Sequence, residues 1–96
     1  MASAITLAKV KTDLRISHME LDGDIRDTID AGLADLAICG VTNAGEDDPA
    51  ILSALKLYCR AAYTDDTDKA AAYLIRYNAM KGTLMMATGY GGDDNE

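Results

Sequence analysis

Ile25, Ile29, Leu33 and Leu36 recur at steps of four, four and three residues. That spacing places all four side chains on one stripe of an α-helix and cannot be laid along the period-two face of a strand. The other face of this helix shows Asp24, Asp27, Asp30 and Asp35. A second stripe, Ile51, Leu52, Leu55, Tyr58, Cys59 and Ala62, is wider and suits the central helix of a small bundle. A third runs Ala70, Tyr73, Leu74, Tyr77, Met80 and Leu84. The chain holds no Phe, no Trp and one Pro, so the residues that dominate sheet cores are scarce and those that favour helices are plentiful. The expectation is an all-α fold, a small bundle of about four helices with a flexible C-terminal tail. Ninety-six residues at 49% hydrophobic suffice for one core and no second domain.

Boundary signals divide the bundle. Thr6 is an N-cap candidate for a first helix over about 6 to 14, with Leu7, Val10 and Leu14 at helical spacing. Before the acidic helix, Ser17 and Glu20 match a capping box, while Asp22 lies closer to the apolar pattern and is the favoured cap. That helix ends near Gly40, and CGVTNAGEDDP reads as a loop. Asp48 followed by Pro49 reads as an N-cap with proline at the first helical position. In AAYTDDTDKAAAYL, Asp65, Asp66 and Thr67 sit where one pattern stops and the next begins, where their oxygens can accept the free amides of a new first turn. A calcium loop would need ligands at alternate positions, a turn glycine and a terminal glutamate, which TDDTDKAAA lacks. The helical domain is expected over 1–84, with 85–96 as the tail.

Charge and reactive groups narrow the function. Residues 1–21 carry +1, residues 22–49 carry −7 and residues 50–96 carry −1, so the middle of the chain holds the net charge. Such a surface repels phosphate at contact range, which argues against tight nucleic-acid binding and leaves room for a conduit past which DNA slides. His18 is the one histidine, with no Ser or Cys placed to pair with it, and GYGG has no strand before it. Cys39 and Cys59 sit in apolar helical patterns without CxxC spacing and read as buried reduced thiols. No enzyme, metal site or cofactor is indicated. The first residues lack a long apolar stretch and no apolar run spans a membrane, so neither export nor insertion is expected. Met85, Met86 and Tyr90 are apolar anchors in an otherwise small or acidic tail and could order on a partner.

The order of these parts carries a resemblance. ITLAKVKTDLRIS, an acidic turn and helix, DDPAILSALKLYCRAAY, then TDDTDKAAAYLIRYNAMKGTL and a tail with GY resemble the small helical head-tail connector proteins of tailed bacteriophages, often labelled DNA-packaging proteins. The similarity runs from about Ile5 to Tyr90. Its most specific pieces are the LRI after the first helix, the helix that opens on DP and ends in Tyr, and the D-D-x-x-K-A with a Tyr about four residues on. The resemblance implies a virion protein assembled in the bacterial cytoplasm. Its copies form a ring, commonly of twelve, beneath the portal protein, extending the DNA channel and docking the next tail-side component or stopper. It implies Tyr73, Tyr77, Met85, Met86 and Tyr90 as candidates for portal or partner contact. It also implies Asp24, Asp27, Asp30 and Asp35 as channel-lining or subunit-facing acids. Ending in GGDDNE departs from many relatives. Two other readings stay open: a helical regulator that binds another protein through the tyrosine-bearing fourth helix, and an acidic nucleic-acid mimic carried by the Asp22 to Asp35 helix.

Overall fold

Helix periodicity dominates the structure, a computed structural model that describes residues 3–41, 45 and 48–86. Among the described residues four helices follow in order: α1 (Ala4–Leu14), α2 (Asp22–Ile38), α3 (Pro49–Tyr63) and α4 (Thr67–Met86). The chain is an all-α small bundle. α3 touches each of the other three helices, which makes it the centre of the packing, and α4 packs chiefly on α3 from outside.

The core is built from the stripes. Leu7 and Val10 of α1, Ile25, Ile29 and Leu36 of α2, Ile51, Leu52, Ala54, Leu55 and Cys59 of α3, and Tyr77 and Leu84 of α4 are buried together with Val41. Each large side chain so buried stabilises the fold by about 1.5 to 3 kcal/mol. Leu33 is half-buried against this cluster. Two expected members lie elsewhere: Ala62 and Leu74 are exposed, because no further helix among the described residues covers them. Gly32 lets α2 lie close to α3, since a Cβ there would meet Leu55 Cδ2 at 3.0 Å and Tyr58 Cδ2 at 3.3 Å.

Caps set the helix ends. Asp48 caps α3, its Oδ1 accepting from the amides of Ala50 (2.9 Å) and Ile51 (3.4 Å), with Pro49 at the first position. The aspartate-rich joint is a capped turn: Asp66 Oδ1 accepts from the amides of Asp68 (2.9 Å) and Lys69 (3.0 Å), and Thr64 Oγ1 accepts from the amide of Asp66. The first helix starts earlier than its sequence suggests, because Ser3 is the cap, its Oγ accepting from the Thr6 amide. Thr6 is instead inside the helix, buried, with its hydroxyl oxygen accepting from Ser3 Oγ at 3.1 Å. Asp22 is likewise not the cap of α2 but its first residue, where its carboxylate pairs with Lys11 Nζ at 2.6 Å and ties α1 to α2. α2 ends in a Schellman motif: the Val41 amide donates to Leu36 and the Gly40 amide to Ala37, with Gly40 at φ +96°. α1 ends the same way, the Ile16 amide donating to Lys11 and the Arg15 amide to Thr12, but the left-handed position is filled by Arg15 at φ 61°. α4 runs two residues past Leu84, so Met85 and Met86, expected in the tail, belong to the helix. Tyr90 and the rest of the expected tail lie outside the described residues.

Candidate functional site

α4 has 20 residues, of which only Tyr77 and Leu84 are fully buried. At about 100° per residue, a position nine residues from another points the opposite way. Ile75 therefore faces directly away from Leu84, and it is 70% exposed. Met86, 88% exposed, lies nearly in line with it, and Leu74 and Met85 sit about a quarter turn to one side at 43% and 49% exposure. Ala71, Ala72 and Ala79 complete an exposed outer face on which Asp68, in the first turn, is the charged residue closest to Ile75's line. Large apolar side chains exposed on the side away from the core give a surface on which a partner can pack, with Asp68 and Asn78 as its polar members.

Beside this face, a groove of about 420 Å³ runs between α2, α3 and α4. Tyr58, Ala61 and Ala62 of α3 line it together with Asp27 of α2 and Leu74 of α4. The groove thus brings one member of the acidic helix onto the same surface as the outer face of α4.

The other acids of α2 have separate tasks. Asp35 Oδ2 accepts from the Tyr77 hydroxyl at 2.6 Å and from Lys81 Nζ at 3.0 Å. The Tyr77 hydrogen bond and the ammonium hold the Asp35 carboxyl below its usual range, while the carboxylate raises Lys81. Burial, then the neighbouring carboxylate, pushes the Tyr77 phenol far up, so it stays a donor. Asp24 accepts from the Tyr63 hydroxyl, across α2 and α3, and burial followed by that contact raises Tyr63. Asp30 is half-buried, with Oδ1 shielded from solvent. Asp27 is exposed.

The aromatic candidates divide in the same way. Tyr77 is 2% exposed and meets Tyr58 edge-on at 5.1 Å between ring centres, so it serves the core of this chain and offers no surface to a partner. Tyr73, one turn earlier, is half-buried under the Arg60 guanidinium, 5.8 Å from its ring centre. Met85 and Met86 stand on the outer face, and Tyr90 lies outside the described residues. Ile75 and Leu74 were not singled out for this face by sequence. The signal that could have found Ile75 is its nine-residue offset from Leu84.

The reactive groups do not assemble. His18 is exposed, with Nδ1 4.0 Å from Glu20. Cys59 is buried and reduced, its thiol pushed up to about 12 by burial and then by Asp13; Cys39 is free and half-buried rather than buried. Among the described residues no group of three His, Cys, Asp or Glu side chains could hold a metal ion, and no helix is long and apolar enough to cross a membrane. Comparison with protein-family models, with curated proteins and with solved structures finds no match for this chain.

Proposed function

We propose that the chain is a structural connector of the head-tail type, one subunit of a ring that docks to the portal and to the next tail component. The observation that carries this reading is the outer face of α4, where Leu74, Ile75, Met85 and Met86 are exposed on a helix already anchored to the core by its other side. A subunit that works by assembly needs such a surface, and a helix presenting large apolar side chains on a rigid base gives a partner preorganised anchors. The groove beside it extends the contact onto α2 and α3. The resemblance in the order of sequence parts supplies the kind of assembly. The nucleic-acid-mimic reading draws less support, because Asp24 and Asp35 are already hydrogen-bonded to tyrosines of this chain.

The test is co-sedimentation. A tagged copy is expressed in the producing host and banded with phage particles, and its amount is measured against the portal. The expected result is a fixed stoichiometry near ring copy number on DNA-filled particles. Ile75→Asp should fold as the parent does, because Ile75 faces away from the core, and should be lost from the particles. A functional tagged protein found entirely in the soluble fraction would refute the proposal in favour of the regulator that binds another protein through α4.

A further inference from the structure

A second concave surface is lined by more cations than acids. Where the C-terminal ends of α1 and α3 meet the first turns of α4, a cleft of about 670 Å³ opens. Three cations line it, Arg15, Arg60 and Lys69, against one acid, Asp13. The acid is already committed: its two oxygens accept from Arg60 Nε and Nη2, both at 2.7 Å. This pair fixes the Arg60 guanidinium over Tyr73 and leaves Arg15 and Lys69 as the lining cations without an ion pair, Lys69 standing in the turn that also carries Asp65, Asp66 and Asp68. Arg15 and Lys69 are exposed and form no ion pair among the described residues. Arg15 also occupies the left-handed position at the end of α1, where glycine would sit without strain. A strained long cation on the wall of a cleft is the kind of outlier from which a functional role is inferred. In a chain of net charge −7, this cleft gathers a surplus of positive charge.

We propose that the cleft binds a carboxylate-bearing acidic segment, and that this segment is Asp93, Asp94 and Glu96 of a neighbouring copy of the chain. The proposal rests on the ring reading and supplies its subunit contact. Charge complementarity selects the occupant, since three of the six acids beyond residue 50 fall in these last four residues. Distance selects the neighbour. Lys69 stands near the first turn of α4, and the helix ends at Met86, roughly 26 Å further on at 1.5 Å per residue. From Met86 a fully extended chain covers at most about 25 Å to Asp93 and about 35 Å to Glu96, so a chain's own acids would reach the cleft only with the tail laid back along the whole of α4, almost fully stretched for Asp93. The acids of a second copy carry no such constraint. Cations at one end of α4 and acids beyond the other make the subunit polar, and a contact of one end on the other is heterologous. Such contacts close into a ring when the rotation between copies allows.

The experiment uses the full-length chain with Asp93→Asn, Asp94→Asn and Glu96→Gln, so that its own acids do not compete, and a fluorescein-labelled peptide of residues 87–96 followed by anisotropy. Saturable binding that weakens as salt rises is expected. Lys69→Glu should weaken it about tenfold or more, because it places like charges together. Arg15→Gly should also weaken binding while raising the unfolding midpoint, a split that a merely structural role for Arg15 does not produce. A peptide with the same three acids neutralised should not bind. The proposal is overturned if the acidic peptide fails to bind, if the neutral peptide binds equally, or if both variants bind as the parent does with an unchanged circular dichroism spectrum. Binding of inorganic phosphate without binding of the peptide overturns it in favour of a small-anion site. Ring stoichiometry on particles without peptide binding would sink this contact and leave the connector reading standing. Peptide binding by a protein absent from particles would do the reverse.

Discussion

Removing the Asp35 carboxylate tests whether the acidic helix is held to α4 by a tie the bundle depends on. In Asp35→Ala the Tyr77 hydroxyl loses its 2.6 Å acceptor at a residue 2% exposed, and a buried donor left unmade costs about 1 to 3 kcal/mol. Lys81 loses its pair as well, but its ammonium can turn to water, which adds at most about 1 kcal/mol. The sum is about 1 to 4 kcal/mol, on the order of 10 °C in melting temperature for a chain of this size. Tyr77→Phe keeps the ring, its packing and its contact with Tyr58, and removes one hydrogen bond to a charged group. The Asp35 side chain is 37% exposed and retains Lys81, so this change should cost less, about 1 to 2 kcal/mol. The two losses share one interaction, so the double variant should cost about 1 to 2 kcal/mol less than the two single costs added. Guanidinium unfolding followed by circular dichroism at neutral pH measures all four proteins. Additivity within about 0.5 kcal/mol would refute the tie. Acid provides a second reading of the same cluster. Because the folded state holds the Asp35 carboxyl below its ordinary 3.8, the unfolded chain binds this proton first. The contribution is therefore full above 3.8 and disappears as pH falls from there through the lowered folded value. Asp35→Ala should abolish this part of the acid sensitivity.

Gly32→Leu should cost about 1 to 3 kcal/mol in the same unfolding assay, because even a Cβ there meets Leu55 and Tyr58 at 3.0 and 3.3 Å; full stability would mean that α2 and α3 are not held so close. Cys59, buried with its thiol raised to about 12, should resist alkylation at neutral pH until the chain unfolds, while Cys39 reacts in the native state; mass spectrometry after iodoacetamide distinguishes them, and equal native labelling contradicts the packing. Asp27→Lys should leave stability within about 0.5 kcal/mol, since Asp27 is exposed, yet slow the passage of DNA through particles if α2 faces the channel. Unchanged ejection kinetics would remove Asp27 from the conduit.

What was legible in the sequence follows from range of interaction. The stripe of Ile25, Ile29 and Leu36, the cap at Asp48 and the capped joint at Asp66 are decided within a few residues, and each stands where its local pattern places it. Thr6 misled because a hydroxyl three residues after a serine is compatible with either role, and only the burial of Thr6 selects Ser3 as the cap. Asp22 misled because its carboxylate has a better partner across the bundle, Lys11, than the amides of its own first turn. The division among the four acids of α2 was not legible at all. Nothing local separates Asp35 and Asp24 from Asp27; the difference lies in Tyr77 and Tyr63, some 40 residues away, which reach the first two. For the same reason Tyr73 and Tyr77, one turn apart in sequence, meet different helices: Tyr77 meets Tyr58 and Asp35 in the core, and Tyr73 lies under Arg60 at the cleft.

That division bears on the proposed ring, in which a small acidic chain would have both to repel DNA and to hold to its neighbours. If every acid of α2 faced solvent, the helix would be a uniform negative wall, and like charges would oppose the approach of a second acidic subunit. Here Asp22 and Asp35 are paired with Lys11 and Lys81, so part of the negative charge of α2 is countered within the bundle, and the Asp24 carboxylate is turned to a phenol of α3. Lys11 and Lys81 are thereby consumed, as Arg60 is by Asp13. With three of the nine cations paired, Arg15 and Lys69 are among the rest and share one cleft, at the end of α4 opposite the outer residues Met85 and Met86. The internal pairing therefore does more than stabilise the monomer. It determines which charges remain at the surface and so, in the proposed ring, where a second copy would be attracted rather than repelled.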